Sequence, residues 1–322
     1  MRHLKGVPKT HVYRIIRSGE VRINKGRARA DTRLTPGDCV RLPPVRVSER
    51  VAAKDRAKNH AITQATETSK PARAFAILFE DDHLIAIDKP AGVAVHGGSG
   101  VRFGVIEQMR MVRPQAPFLE LVHRLDRDTS GVLLLAKKRS ALKHLQDQFR
   151  QRQTGKTYLA LVRGQWPAGL TVLDQPLHKY LCITPDAPDG ERRVRVVARD
   201  NPDGMAAVTL VRGVASSPDY SLLQVTLKTG RTHQIRVHLA HVGHPIAGDD
   251  KYGDFEWNKS IMHLPAAGGG IGVGVRRMFL HAYKLQFDHP VSRERMELLA
   301  KLPADLALFA ETVLGAAARA IR

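Results

Sequence analysis

Two carboxylates and two guanidiniums lie within the five residues from Arg124 to Asp128, inside the stretch HRLDRDTSG. A turn-like TSG ends this stretch, and the apolar run VLLLA follows it. A carboxylate that a loop holds still can act as a nucleophile or as a general base, and arginines beside it can bind phosphates. The same stretch also suits a salt-bridged turn, in which Asp128, Thr129 and Ser130 cap backbone amides. From these residues alone both interpretations stay open.

Other stretches imitate ligand-binding motifs but lack a required position. DRDTSG at 126–131 matches the start of a calcium loop, yet the twelfth position is Lys137 instead of a bidentate glutamate. GKT at 155–157 imitates a phosphate-binding loop, but the glycine needed five residues earlier is an arginine. The histidines and the two cysteines, Cys39 and Cys182, show no metal-ligand spacing. We therefore expect no metal site.

The elements that must position HRLDRDTSG are two strands on either side of it, predicted at 118–125 and 131–138. Two further strands are predicted within 75–98, and others at 157–164 and 224–230. Helices are predicted at 103–111, 140–150 and 233–243. HGGSG at 96–100 suits an anion site ahead of a helix or a plain tight turn. This mixture favours an α+β body with a mixed, mostly antiparallel central sheet flanked by helices.

The charge of the chain is strongly positive and uneven. Its 322 residues carry 51 Lys and Arg against 31 Asp and Glu, a net charge of +20. Residues 1–73 alone hold 18 basic against 6 acidic side chains. This favours a nucleic acid partner first and an anionic membrane second, with a merely soluble basic surface as the third interpretation. No apolar run approaches the roughly 18 residues of a membrane span, and the two unpaired cysteines fit a reducing cytoplasm.

The N-terminal segment has the pattern of a small nucleic-acid-binding module. A short helix is predicted at 8–18 and strands at 20–24 and 39–43. VYRIIRSGEVRINKGRARADTRLTPGDCVRLPP resembles the later part of an S4-type RNA-binding domain, without the first helix of that family. We therefore expect a partial S4-like α/β module at 1–47. An Ala-, Ser- and charge-rich linker is predicted at 48–73, and a second, larger domain at 74–322.

Several stretches resemble one enzyme family in order and spacing. HRLDRDTSG is similar to the H-R-L-D-x-x-T-S-G motif of the pseudouridine synthases that modify structured RNAs. The other matching stretches are DKPAGVAVHGGSG, KTYLALVRG, TGRTHQIRVHLAHVGHPIAGDDKYG and RRMFLHAYKLQFDHP. The resemblance implies the catalytic fold of that family. It also implies uridine isomerisation without a cofactor, in which the N1–C1′ bond breaks, the uracil rotates and C5 bonds to C1′.

The resemblance assigns roles to particular residues. The catalytic carboxylate is Asp126, and Arg236 is the arginine that pairs with it. Tyr158 stacks on the target base and helps to remove the C5 proton, while Ile235 lies under the uracil. Arg124 fills the gap that the flipped nucleotide leaves in the RNA. The remaining residues expected to contact the substrate are His123, Thr129, Arg231, His233 and Gln234.

The resemblance is strongest to the branch of the family that acts on large-subunit ribosomal RNA. It implies a monomeric enzyme whose partner is 23S rRNA or a large-subunit assembly intermediate, with no membrane association. Two alternatives stay open. One is a non-catalytic rRNA-binding or ribosome-assembly factor with the same fold, and the other is a related synthase that acts on a different rRNA stem. The combination of Asp126, Tyr158 and Arg236 favours an enzyme.

Overall fold

The computed structural model describes residues 15–24, 26–28, 32–33, 35, 37–42, 74–97, 103–184, 187–264 and 274–321. The chain divides into two units, Met1–Pro71 and Ala72–Arg322. Each unit has its own sheet and its own apolar cluster.

The smaller unit contains a three-stranded antiparallel sheet in the order β2-β1-β3. Its strands are β1 (Arg22–Ile23), β2 (Gly26–Arg27) and β3 (Val40–Arg41). Ile15, Val21 and Ala28 are buried together beside the sheet. Both strands predicted for this segment are confirmed in shorter form. Residues 15–17 are helical, which confirms the end of the helix predicted at 8–18, and residues 8–14 lie outside the described residues.

The larger unit is built on a ten-stranded sheet, with a separate two-stranded sheet beside it. Its strands are β4 (Ala76–Glu80), β5 (Leu84–Lys89), β6 (Glu120–Leu121), β7 (Ser130–Ala136), β8 (Gly155–Arg163), β9 (Val172–Leu173), β10 (Leu177–Thr184), β11 (Ala187–Val196), β12 (Thr209–Ser216), β13 (Tyr220–Leu227), β14 (Leu280–Asp288) and β15 (Arg295–Leu299). The main sheet has the order β4-β5-β7-β14-β8-β13-β12-β9, and β15 and β6 add to β14 and β7. Every pairing is antiparallel except that of β7 with β14. The predicted α+β fold is confirmed.

Helices cover the faces of this sheet. They are α1 (Val105–Val112), α2 (Arg139–Arg150), α3 (Gln234–His241), α4 (Phe255–Ile261) and α5 (Ala304–Leu314), followed by a 3-10 helix at Gly315–Ile321. The three helices predicted from the sequence correspond to α1, α2 and α3. No helix in the described part of the chain has the length and apolar character needed to cross a membrane.

Strand β7 lies at the centre of the larger unit and explains why the loop before it is rigid. All seven of its residues are buried. Leu133 and Leu135 pack into the apolar cluster that includes α1, and Val132 and Leu134 pack into the cluster that includes α2. A strand with a helix-covered core on both faces reads as a continuous apolar run, which is why the sequence predicted it well.

The sequence predicted only part of these elements: it gave no strand at β2, β9, β10, β11, β12, β14 or β15 and no helix at α4 or α5. The strand expected at 118–125 is only β6, Glu120–Leu121, because the chain then leaves the sheet and enters the loop that contains HRLDRDTSG. The hairpin of β10 and β11 was not predicted, although YLCI in β10 is a short apolar run and RVRV in β11 alternates basic with apolar residues. The stretch LPAAGGGIGVGV at 264–275 is rich in glycine, which favours a loop, and its residues 265–273 lie outside the described residues.

Candidate active site

The loop from His123 to Thr129 is held by backbone contacts at both ends. The Thr129 amide donates to the Asp126 carbonyl over 3.2 Å and closes a turn around the carboxylate. Two residues after Thr129, Gly131 has φ +113°, and a Cβ there would lie 2.2 Å from the Ala282 carbonyl oxygen on β14. Only glycine allows both this backbone conformation and this approach. The loop is therefore fixed where β7 begins its pairing with β14.

A buried lysine, Lys89, holds the same loop by hydrogen bonds to backbone carbonyls. Lys89, the last residue of β5, is completely buried, and its ammonium donates to the carbonyls of Pro90, Val93 and Arg127 at 2.8, 2.8 and 3.0 Å. Burial lowers the pKa of Lys89 to about 8, although the charges of Asp128 and Asp126 oppose this effect. The three hydrogen bonds use all donors of the ammonium. Lys89 thus ties the residue after Asp126 to the neighbouring strand.

The carboxylate of Asp126 faces two nitrogen donors without bonding to either. Its Oδ2 atom lies 3.7 Å from Nη1 of Arg236 and 3.8 Å from Nε2 of His233. Both distances exceed those of protein hydrogen bonds. The guanidinium balances the carboxylate charge, while the oxygen keeps its lone pairs available for a reacting group.

Arg236 is held in place by a second carboxylate. Its Nε and Nη2 atoms donate to the two oxygens of Asp249 at 2.8 and 2.7 Å, and both residues are buried. Burial opposes the charge on Arg236, but the hydrogen bonds and charge of Asp249 raise its pKa well above the ordinary value. The bidentate pair leaves Nη1 directed at Asp126. Asp249 therefore sets the position of the cation that faces the carboxylate.

His233 is oriented by Tyr252. The Tyr252 hydroxyl lies 2.8 Å from Nδ1 of His233 and accepts the Val194 amide over 3.0 Å. Because that amide occupies one lone pair, the hydroxyl proton is best used toward Nδ1, which leaves the imidazole proton on Nε2. Burial lowers the pKa of His233, which favours the neutral ring. The Nε2–H group then points toward Asp126.

A cavity of about 260 Å³ adjoins the carboxylate, and its lining combines apolar surface with several charged side chains. Leu227, Ile235 and Leu280 supply aliphatic surface, and Tyr158 and Phe149 supply aromatic rings. Burial raises the pKa of Tyr158 far above its ordinary value, and the charge of Asp126 raises it further, so this side chain is a neutral phenol. The planar ring of a ligand could fit between these aliphatic and aromatic side chains. The site joins a carboxylate, a guanidinium and a base-sized pocket.

Comparison with known proteins agrees with this geometry. Residues 83–241, which include the loop, β8 and α3, match the family model described as RNA pseudouridylate synthase. Over 94% of its length the chain is 46% identical to ribosomal large subunit pseudouridine synthase C of Vibrio cholerae, and covers 88% of that protein. A protein of the same name from Yersinia pestis is 48% identical over 94% of this chain and 87% of its own length.

The chain belongs to the RNA pseudouridylate synthase family.

Among solved structures, this synthase is similar to human RNA pseudouridylate synthase domain containing 4. The TM-score is 0.56 at 28% sequence identity, and the match covers 80% of this chain and 97% of the human chain. The sequence prediction of the family is confirmed by the relatives, and the fold by this structural likeness.

The structure brings the ten residues expected at the site of this synthase around one cavity. They are His123, Arg124, Asp126, Thr129, Tyr158, Arg231, His233, Gln234, Ile235 and Arg236. Their segments are far apart in sequence and meet because β7 and β8 lie on either side of β14, while α3 begins beside them. The pocket is therefore lined by the loop, by β8 and by the start of α3. Some of these side chains are already hydrogen-bonded within the protein and are not free to bind a ligand.

The side chain of Gln234 is fully used by the protein. Its amide nitrogen donates to the Val208 carbonyl and to Thr209, and its oxygen accepts from Thr229 and from the Arg231 amide. Two donors and two acceptors are the whole capacity of this group. In this structure the side chain therefore fixes the start of α3, and its contact with substrate stays a prediction.

His123 is also committed to the protein. Its Nε2 atom accepts the Leu134 amide over 3.1 Å, and its ring stacks on Phe149 with 4.7 Å between the ring centres. Burial lowers the pKa of His123 to about 3, and the charge of Lys156 adds to this effect. Its contribution to the pocket is a neutral ring that closes one wall.

Arg124 and Arg231 present cations to the same cavity. Arg231 donates to the Ala206 carbonyl, while Arg124 is exposed and has no hydrogen bond or ion pair to a described residue. Arg124 and Asp126 also line a second, polar cavity of about 460 Å³, which reaches Arg193 and Lys251 near the β10–β11 hairpin. Arg124 therefore lies between the base-sized pocket and a charged groove.

Sequence reasoning missed Asp249, Tyr252 and Lys89 as parts of the site. Asp249 and Tyr252 lie in GDDKYG, and the signal that could have found Asp249 was Arg236 itself, since a buried guanidinium needs a carboxylate partner. The anion site considered at HGGSG is occupied by the protein, because the amides of Gly97 and Gly104 donate to the Glu107 carboxylate at the start of α1. The described residues contain no group of three or more His, Cys, Asp and Glu suited to a metal.

Proposed function

We propose that this synthase isomerises specific uridines to pseudouridine in 23S ribosomal RNA, with Asp126 as the catalytic residue. The observation that carries the proposal is the carboxylate of Asp126, held in a rigid turn beside Arg236 at the mouth of a base-sized pocket. The target is supported by relatives of 46 to 48% identity that are named for the large ribosomal subunit. No cofactor is needed, because the product has the same atoms as the substrate.

The reaction requires one bond to break and another to form at the same sugar carbon. The N1–C1′ bond breaks with its electron pair on the uracil, the uracil rotates and C5 bonds to C1′. The C5 proton then leaves and N1 takes up a proton, so the product is an isomer of the substrate. Asp126 can serve this sequence by attacking the sugar, by attacking the base or by removing a sugar proton. Each route needs a carboxylate oxygen without a competing hydrogen bond, which is the state of Asp126 Oδ2.

The pocket walls hold the uracil while it turns. Tyr158 stacks on the base and Ile235 lies beneath it, since an aromatic ring and an aliphatic side chain line the pocket together. The raised pKa of Tyr158 keeps the phenol protonated, so it accepts the C5 proton only as it gives up its own. The flat ring of Tyr158 and the aliphatic side chain of Ile235 make no directional bond to the base and so permit the rotation.

Arg124 and the neighbouring cations contact the opened RNA. Extruding a nucleotide costs a few kcal/mol, which contacts to the flipped base and to the backbone must offset. The exposed, unpaired guanidinium of Arg124 beside Asp126 is suited to fill the vacated position. Arg231 and the backbone near Thr129 and His233 line the route to the pocket.

The basic N-terminal segment supplies affinity for the rRNA. Residues 1–47 act as a partial S4-like module, 48–73 as a linker and 74–322 as the catalytic domain. The 12-charge excess of residues 1–73 fits contact with phosphates. The enzyme acts as a monomer on 23S rRNA or on a large-subunit assembly intermediate, in the cytoplasm.

The test is a pair of neighbouring substitutions, Asp126→Asn and Asp128→Asn. Asn keeps the size of the side chain but is neither a useful nucleophile nor a base. Asp128 pairs with Arg127 and does not line the base-sized pocket, so its variant is the matched control. Tritium release from C5-labelled 23S rRNA should disappear in the first variant and continue in the second, with both melting near the parent. A binding factor would show no tritium release in the parent either.

A further inference from the structure

Lys156 is the cation of the base-sized pocket that has no role so far. It lies on β8 two residues before Tyr158, and residues two apart on a strand project from the same face. Both side chains line the cavity. Whatever stacks on Tyr158 therefore lies within reach of the Lys156 ammonium.

This ammonium lacks an anionic partner among the described residues. No carboxylate of a described residue lies within ion-pair distance, and the ammonium lies over the ring of Phe149, 5.9 Å from the ring centre. The other buried cations of the site differ, since Lys89 donates to three carbonyls and Arg236 to Asp249. Burial lowers the pKa of Lys156, and the charge of Arg152 adds to this effect.

A half-buried ammonium without a partner is unfavourable for the free protein, because it has lost water and gained no anion. Such groups persist where a ligand supplies the missing charge. Within the pocket, the Lys156 ammonium lies over the ring of Phe149, whereas the Asp126 carboxylate lies beside Arg236 and His233. Lys156 and Asp126 therefore face the pocket from different neighbours and do not form an ion pair.

We propose that Lys156 binds an anionic oxygen of the RNA substrate. The inference rests on the proposed function and adds a residue to it. The uracil carries a negative charge over N1 and its carbonyl oxygens once the N1–C1′ bond has broken. A base stacked on Tyr158 with its N1 edge toward Asp126 directs O4 toward Lys156. A phosphate oxygen beside the flipped nucleotide is the second source of the same chemistry.

The experiment compares Lys156→Met and Lys156→Arg with the parent, using C5-tritiated 23S rRNA as the probe. Arg152→Gln, which removes the neighbouring exposed cation, is the control. Single-turnover tritium release, RNA affinity over a series of salt concentrations and the melting temperature of the free protein are measured for each. The parent's tritium release tests the proposed function, and only the difference between variant and parent tests Lys156.

If Lys156 binds the uracil oxygen, Lys156→Met should slow single turnover at least tenfold at saturating RNA, with an unchanged salt slope. If it binds a phosphate, affinity should fall and the salt slope should decrease by about one unit, with the saturated rate retained. In both cases Lys156→Arg should recover part of the loss, and the free Lys156→Met protein should melt no lower than the parent. Unchanged rate and affinity, or losses that follow a lowered melting temperature, would overturn the proposal.

Discussion

At the scale of single residues, Asp126 depends on a chain of charges that begins in the interior. Asp249 is buried and holds Arg236 by two hydrogen bonds, and only the third nitrogen of the guanidinium faces Asp126. The amides of Lys251 and Tyr252 donate to the same Asp249 oxygen. The proposed catalytic carboxylate, Asp126, and the carboxylate that orients its neighbour, Asp249, are thus different groups on different segments.

We expect Asp249→Asn to be far more damaging than Asp250→Asn. The first substitution leaves the buried guanidinium of Arg236 without its charge partner, which costs about 3–5 kcal/mol of unfolding free energy. Asp250 is largely exposed and lies 3.4 Å from Arg236, so its substitution should cost less than about 1 kcal/mol. Denaturant unfolding and tritium release measure both effects. Equal stability of the two variants would show that Arg236 does not need its buried partner.

The same pair has a pH signature. Burial opposes ionisation of Asp249, but the hydrogen bonds and charge of Arg236 lower its pKa below the ordinary value. Because the folded pKa is lowered, the stabilisation is present above the unfolded carboxyl pKa of about 4 and is lost as the pH falls through the folded value. The loss of stability on acidification should therefore be shallower in Asp249→Asn than in the parent.

The sequence predicted which residues would gather at the site but not all of their partners. Asp126, Tyr158 and Arg236 came from motifs whose spacing reflects the fold, so their meeting was predictable. The hydrogen bonds of Gln234 were not, because two of its partners lie on the segment around Val208, which carries no motif. A buried polar side chain such as that of Gln234 needs hydrogen-bond partners, but sequence spacing does not say which residues they are. Only the folded structure identifies them.

At the scale of elements, the loop that carries Asp126 is held by three strands, β5, β7 and β14. β7 supplies its apolar base, β14 its close backbone contact at Gly131, and β5 supplies Lys89. The strands were predictable from their apolar runs. The anchoring role of Lys89 was not predictable, because nothing in the sequence distinguishes a buried ammonium from a solvated one at the end of a strand.

Replacing Lys89 by Met should uncouple the loop from β5. The carbonyls of Pro90, Val93 and Arg127 would lose their donor, each at about 1–3 kcal/mol, and the removal of a desolvated charge offsets part of that cost. We expect net destabilisation of about 2 kcal/mol and at least a tenfold slower single turnover, with RNA affinity nearly unchanged. Thermal unfolding and tritium release at saturating RNA provide the measurements.

Lys137→Met is the control for that experiment. Lys137 follows β7 at its other end and pairs with Glu80 at 3.0 Å on a partly exposed surface. Its loss should change stability by less than about 1 kcal/mol and leave turnover unaltered. A Lys89→Met enzyme as active as the Lys137→Met enzyme would mean that the loop needs no anchor on β5.

At the scale of the whole molecule, most of the excess positive charge and the candidate active site lie in different units. Residues 74–322 hold the site and carry 33 basic against 25 acidic side chains, a much weaker excess than that of residues 1–73. In the smaller unit Arg22 pairs across the sheet with both Arg27 and Arg41, and all three are exposed. Like charges directly opposite each other destabilise a sheet unless an anion joins them.

We expect this arginine row, which consists of Arg22, Arg27 and Arg41, to be a source of the salt dependence of RNA binding. Each phosphate contact contributes about 0.9 to the slope of log affinity against log salt on a duplex and about 0.7 on a single strand. The triple variant Arg22→Gln, Arg27→Gln and Arg41→Gln should therefore lower the slope by about two to three units and weaken binding to 23S rRNA. Single turnover at saturating RNA should stay at the parental rate, because none of these residues belongs to the site.

The matched control is a full-length variant with three exposed basic residues of the larger unit replaced, Lys143→Gln, Lys259→Gln and Arg293→Gln. It has the same net charge as the arginine variant but keeps the row on the small sheet. If the two variants lose the same amount of salt slope, the effect belongs to net charge and the row makes no specific contact. If only the arginine variant loses slope while its melting temperature is equal or higher, the three guanidiniums bind phosphates, since removing them relieves repulsion in the free protein.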